Sequence, residues 1–184
     1  MIRCPDAETA QIARQWRSHG LTNRHNHAFL GGNYRMTEIA AAIGLVQLRK
    51  VDALNAQRIR ISEILLDGIQ VPWLSGPAPR VDVKCTYFWC PFLVDEVELG
   101  MKIPTLIKHL AEQGVEVRYR YPRPLYRLPV FLARNNAQPQ ALPHAEHLTG
   151  KFIGLPNRPD MTDADVAQVQ DVLASIPPSQ RFAI

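Results

Sequence analysis

GGNYRMTEIAAAIGLVQL (31–48) is the stretch on which the reading of this chain turns. Its first part is polar and opens on paired glycines, so it reads as a structured loop. At Thr37 the pattern changes. A threonine hydroxyl can accept from the free amides of a first helical turn. From there Ala40, Ile43, Gln47, Val51 and Leu54 trace one stripe, continued by Ile61 and Leu65 to a stop near Gly68. The spacing predicts a helix of roughly 30 residues, long for a globular protein. Helices of that length usually bridge two domains or pack in an oligomer, and the stripe from Ile39 to Leu65 reads as core packing in the first instance.

Working outward, Asp6 caps a short helix that runs to about Ser18, with Ile12 and Trp16 on one face and Gly20 at the stop. Downstream, Pro72, Gly76, Pro77 and Pro79 read as a linker, so the chain divides into 1–75 and 76–184. VKCTYFWCPFLV (83–94) is β-branched and aromatic and predicts a strand. Pro104 suits a first helical turn, Leu106, Ile107 and Leu110 supply its apolar face, and Gly114 ends it. VEVRY (115–119) alternates as a strand, YPRPLYRLPVF (121–131) is a proline-rich loop, Pro143 opens a short helix, and KFIGLP (151–156) is a short buried strand. Thr162 with Asp165 forms a capping pair for a last helix striped by Val166, Val169 and Leu173. Strands and helices mix without a βαβ rhythm, which predicts an α+β layer.

Composition narrows the function classes. The net charge of +4 is small and scattered, which argues against a nucleic-acid binder. Guanidinium groups near one another do suit a phosphate-bearing ligand. Three cysteines without a CxxC spacing favour neither a disulfide framework nor a zinc site. That cysteine usage suits a reducing cytoplasm, the expected location; with no apolar run of membrane length and no apolar segment in MIRCPDAET, neither a membrane span nor a signal peptide is expected. His25 with His27, and His144 with His147, lack the further ligands a metal site needs.

The motifs go further than the periodicity. Residues 31–48 resemble the G-x-N-Y-R-M…AA-x-G-x-x-QL signature of the DegT/DnrJ/StrS nucleotide-sugar aminotransferases. The arginine-rich RKVDALNAQRIRISEILLDGI (49–69) matches the next element of that family. YPRPLYRLPVF resembles its Y-P-x-P-L-H-x-Q-P-x-F loop, and LPNRPDMTDADVAQVQDVL (155–173) its last helix. The resemblance implies the C-terminal part of a fold-type-I PLP aminotransferase: a long bridging helix plus a small α/β sandwich domain. It also implies a homodimer, PLP as cofactor, and amino transfer from glutamate to a nucleotide-linked keto sugar.

The same resemblance assigns roles. Asn33 and Arg35 fall on the loop that reaches the PLP phosphate of the neighbouring subunit, where an amide and a fixed positive charge suit the task. Tyr126 stands where the family has histidine, and Leu128 where it has glutamine, in a loop that normally lies near the sugar nucleotide. Arg118, Arg120, Arg123 and Arg127 surround that loop and could meet a nucleotide diphosphate; a solvated strand edge is the plainer alternative. The lysine that holds the cofactor belongs just upstream of the residues matching Met1 to Asp6. None of Lys50, Lys84, Lys102, Lys108 and Lys151 has that context, so no catalytic residue is assigned and the chain is expected to be incomplete alone. A separate N-terminal half would then complete the site. The competing expectation is a non-catalytic remnant used for binding or oligomerisation.

Overall fold

The computed structural model describes residues 2–78, 80–135 and 142–179; Pro79 of the sequence-predicted linker lies outside them. Two compact units divide the chain, Met1–Val51 and Asp52–Ile184. The boundary falls inside one helix.

In the first unit, helix α1 (Ala7–Arg17) starts on Asp6, whose carboxylate accepts from the Thr9 amide at 2.7 Å. It ends where His19 takes a left-handed φ of 59° and the Gly20 amide closes onto the Gln15 carbonyl at 2.8 Å. Strands β1 (Leu21–Asn23) and β2 (Asn26–His27) form a small antiparallel hairpin inside the polar stretch read as loop. Asn23 makes that turn: its side-chain oxygen accepts from the amides of His25 and Asn26.

Helix α2 (Glu38–Gly68) is the long helix the stripe predicted. Thr37 opens it, accepting from the Ala40 amide through Oγ1 and from the Ala41 amide through its carbonyl. Only its later turns are buried, at Ile61, Ser62 and Leu65. Core packing, the first reading of the stripe, therefore holds for the later turns only. Ile39, Ile43, Leu45, Val46 and Leu48 are all exposed, between 46% and 76%. At 100° per residue these side chains point to more than one side of the helix, so no single core face accounts for them.

In the second unit, four strands form an antiparallel sheet in the order β3-β4-β6-β5: β3 (Leu74–Ser75), β4 (Cys90–Val94), β5 (Arg118–Arg120) and β6 (Phe152–Leu155). Strand β4 alternates buried Cys90, Phe92 and Val94 with half-buried Pro91 and Leu93, the period of a sheet with one face on the core. That face shares one apolar cluster with Ile61 and Leu65 of α2. Leu106 and Leu110 of α4 (Ile103–Glu112) belong to the same cluster, as do Val166 and Leu173 of α7 (Asp163–Ala174). Shorter helices α3 (Glu96–Leu99), α5 (Pro129–Asn135) and α6 (Pro143–Leu148) and a 3-10 turn at Leu125–Arg127 fill the connections. The architecture is the expected mixed α+β one, a long helix and a small sheet.

Three sequence-predicted boundaries move, each for a local reason. The strand over 83–94 shrinks to Cys90–Val94, because Tyr87 takes a φ of 45°, which extended backbone does not allow. The strand over 115–119 begins only at Arg118. Val115 is engaged instead in closing α4: its amide bonds to the Leu110 carbonyl and that of Gly114 to Ala111, with Gly114 at a φ of 78°. That is a Schellman stop, and its left-handed position suits glycine. The linker over 72–82 starts as sheet, since Leu74 pairs with Val94 and Trp73 is buried.

Two outcomes are expected. Leu106→Ala should lower the unfolding free energy of the second unit by about 2–5 kcal/mol, the usual loss for a fully buried leucine, in urea unfolding followed by tryptophan fluorescence. Sedimentation of the chain should show self-association that rises with concentration, because Ile39, Ile43, Leu45, Val46 and Leu48 are left exposed together on the first turns of α2; a monodisperse monomer across the range would contradict it.

Candidate functional site

The polar loop that precedes α2 is held by backbone. The His19 amide donates to Gly32 and the Tyr34 amide to Arg17, at 2.8 and 2.9 Å, and Ser18 bridges Asn33. Gly31 allows this: a β-carbon there would overlap the backbone of His19 and Gly20. Asn33 and Arg35 are both exposed, and the Asn33 side-chain oxygen lies 3.4 Å from the Arg35 amide that donates to it. Among the described residues Arg35 makes no ion pair. Beside the loop is an apolar concavity of about 800 Å³, lined by Ile2, Cys4, Trp16, Tyr34 and Met36 among others. Trp16 packs on Phe29 with ring centres 4.8 Å apart.

The proline-rich loop lies in the second unit and is tied internally. The Tyr126 hydroxyl donates to Oε1 of Glu146 at 2.5 Å, and Arg127 donates to the same oxygen through Nε at 3.0 Å and a terminal nitrogen at 2.5 Å. The Arg127 guanidinium also lies over the Tyr126 ring. The Tyr126 hydroxyl, helped by Arg127, holds the Glu146 carboxyl below the ordinary glutamate value. Tyr121 adopts a φ of 55°, a strained conformation for an aromatic residue. It is braced by the Gly150 amide, which donates to its carbonyl, and by the Trp89 ring edge-on at 5.7 Å.

The arginines grouped by the sequence have separate surroundings. Arg118 and Arg120 lie on the exposed edge strand β5, two residues apart and so on one face of it. Arg118 also lines a cavity of about 400 Å³ with Arg58 and Arg158, two residues the sequence reading left out. Arg123 is exposed in the loop, and Arg127 is held by Glu146. Of the histidine pairs, His27 is bonded through Nδ1 to the His19 carbonyl at 2.8 Å, and His147 has the Lys151 ammonium at 3.5 Å. Among the described residues no three His, Cys, Asp or Glu side chains are grouped as a metal site, and no helix is long and apolar enough to cross a membrane.

Comparison with known proteins gives a consistent answer. A family model described as the DegT/DnrJ/EryC1/StrS aminotransferase family matches residues 1–174. A dTDP-3-amino-3,6-dideoxy-alpha-D-galactopyranose transaminase from Aneurinibacillus thermoaerophilus is 26% identical over 172 residues, covering 94% of this chain and 45% of that protein. A GDP-perosamine synthase from Escherichia coli O157:H7 is 30% identical over 143 residues, 78% of this chain and 37% of that one. Among solved structures, DesV of S. venezuelae superposes with a TM-score of 0.79 at 24% identity, over 91% of this chain and 44% of its own. Helicobacter pylori PseC, an aminotransferase involved in pseudoaminic acid biosynthesis, superposes with a TM-score of 0.77 at 23% identity, over 92% and 46%. The chain thus spans less than half the length of these relatives.

The Tyr126–Arg127–Glu146 cluster generates a pH prediction. A carboxyl whose folded pKa is depressed contributes stability that is present above its unfolded value and is lost as pH falls through the folded one. The tie between the loop and α6 should therefore weaken only in acid, below the ordinary glutamate value. Carboxyl carbon NMR should find Glu146 titrating below that value, and Tyr126→Phe should move it back up.

Proposed function

Because the chain belongs to the DegT/DnrJ/EryC1/StrS aminotransferase family, we propose that it supplies the cofactor-facing loop and C-terminal domain of a PLP-dependent transaminase. The enzyme so completed moves an amino group from glutamate to a nucleotide-linked keto sugar. The observation that carries the reading is the exposed Asn33–Arg35 loop, held in place by backbone bonds, within a chain matched along 1–174.

The residues present fit one part of the cofactor. Asn33 and Arg35 offer an exposed amide and an exposed guanidinium, the donor set that a phosphate takes. PLP, when bound, supplies the electron sink that lets an amino group change carriers; the chain's own part is to bind and orient its phosphate. By the family's pattern, none of this chain's five lysines has the sequence context that would hold it. Lys50 and Lys84 are exposed, Lys102 pairs with Glu96 at 2.8 Å, Lys108 faces Glu112, and Lys151 lies by His147. The holding lysine is assigned to residues outside these 184, in the same polypeptide or a separate one. A homodimer brings the Asn33–Arg35 loop to a neighbouring site, and Arg118, Arg120, Arg123 and Tyr126 serve the nucleotide sugar. One observation favours a second reading, a non-catalytic binding or oligomerisation module: the hydroxyl of Tyr126, at the family's histidine position, is already engaged by Glu146.

Two measurements test the proposal. Treated with PLP and borohydride, the 184-residue chain alone should show no stoichiometric pyridoxyl label on any lysine by mass spectrometry. Co-expressed with the N-terminal half of a family member, it should bind PLP, and Asn33→Ala or Arg35→Ala should each weaken that binding by about 1.5–3 kcal/mol, the worth of a charge-assisted hydrogen bond. Unchanged affinity in both variants would remove the loop from the phosphate site and leave the second reading in its place.

A further inference from the structure

The chain between β5 and β6 is far longer than its ends require. Arg120 pairs with Phe152, so the two strands are antiparallel neighbours, and such neighbours can be joined by about two to five residues. Here the connection runs from Tyr121 to Lys151 and holds the proline-rich loop, α5 and α6. It adds nothing to the core. The apolar cluster of the second unit takes Val115, with Val117 packed against it, and then no described residue before Ile153. Among the described residues from Tyr121 to Gly150 none is buried. Ordering a backbone costs entropy that buried contacts usually offset, and without them packing selects no single conformation.

Hydrogen bonds must then do so. At the base, the Gly150 amide donates to the Tyr121 carbonyl at 2.8 Å and the Tyr119 hydroxyl to the Gly150 carbonyl at 3.2 Å. The next residue is anchored to the sheet, since the Val94 amide donates to the Lys151 carbonyl at 2.8 Å. Away from the base, bonds among the described residues are local, such as those from the Leu128 amide to Leu125 and from the Thr149 amide to Ala145. Glu146 is the exception. Its Oε1 accepts from Tyr126 and twice from Arg127, which joins the 3-10 turn at Leu125–Arg127 to α6. One carboxylate oxygen meets a hydroxyl and a guanidinium together, so a displacement of either arm breaks contacts to both. α6 lies within a few residues of the anchored base, which makes Glu146 the fixed end of the tie and the loop the end that is held.

We propose that Glu146 is a positioning residue: it holds Tyr126 and Arg127, and through them Arg123 and the prolines on either side of it, in one place relative to the sheet. Tyr126 and Arg127 are its direct partners; Arg123 is reached only through the loop. That the loop so held serves a sugar substrate rests on the reading above. That Glu146 holds it does not, and is measured on the chain without cofactor, amino donor or sugar.

The test is a distance measurement between two spin labels on the 184-residue chain, one at Arg123→Cys in the loop and one at the exposed Val97→Cys on α3, with Cys4→Ser and Cys85→Ser removing the other accessible thiols. With Glu146 in place the distribution should be single and narrow. Glu146→Ala should spread it, the held conformation losing about tenfold in weight, as loss of a charge-assisted contact does. Glu146→Gln keeps an acceptor for Tyr126 and gives up the charge that Arg127 meets, and should fall between. A control pair at Val97→Cys and Asp171→Cys, both outside the loop, should not change, nor should thermal unfolding. In the enzyme completed with a family N-terminal half, Glu146→Ala should raise KM for the sugar substrate more than it lowers kcat. A completed enzyme without activity would count against the transaminase reading and leave the distances to decide this one. The same narrow distribution in Glu146→Ala, a distribution already broad with Glu146 in place, or a control pair that broadens with the loop pair would each overturn the proposal.

Discussion

Burial of Ile61 and Leu65 is the constraint on which the second unit rests. Both are fully buried, two residues one turn apart on the same side of α2, and both belong to the cluster that includes Phe92, Ile153, Leu106 and Leu173. Removing such side chains from water is worth roughly 1.5–3 kcal/mol each. Their position fixes what else can follow. Ser62, between them in sequence, is buried and polar, and it lies 3.4 Å from the Asn157 amide nitrogen. The same Asn157 nitrogen donates to the Tyr87 carbonyl. One side chain thus joins the late turns of α2, the segment entering β4 and the segment leaving β6. The left-handed backbone of Tyr87 is held by that junction and by the burial of its own ring.

Elements set by neighbours in sequence were legible. Asp6, Thr37, and Thr162 with Asp165 start their helices as the spacing predicts, because a cap needs only a side-chain oxygen within reach of its own first turn. The helix over 38–68 was equally plain, since its stripe persists over many turns. Strand limits were not. Val115 alternates with its neighbours as a strand residue would, yet the stop of α4 claims its amide, and no pattern of apolar residues records that competition. Tyr87 likewise looks like strand in sequence and is bent by a partner 70 residues away.

The candidate sites divide along the same line. Asn33 and Arg35 sit in one contiguous motif, so a resemblance carried by consecutive residues found them. Glu146 lies 20 residues from Tyr126, and nothing in the local pattern pairs them. Arg58 read as one more arginine of an arginine-rich helix, and Arg158 only as part of the stretch matched to the family's last helix. Only the antiparallel pairing of β5 with β6, and the return of α7 onto the core, place either near Arg118. Long-range convergence is a property of the folded chain, and a single sequence carries it only through the elements whose packing produces it.

The thiol of Cys90 has a further consequence. Burial pushes it up to about 11, against a small opposing contribution from the Ser62 hydroxyl. At neutral pH its reactive thiolate is then on the order of one part in ten thousand. Cys85, five positions earlier, is exposed. The two sulfurs therefore report different events to the same alkylating reagent. Modification of Cys85 proceeds from the folded state at the reagent's own pace. Modification of Cys90 waits until β4 parts from β6 and water reaches the sulfur, so its rate is a clock for the opening of the sheet's centre.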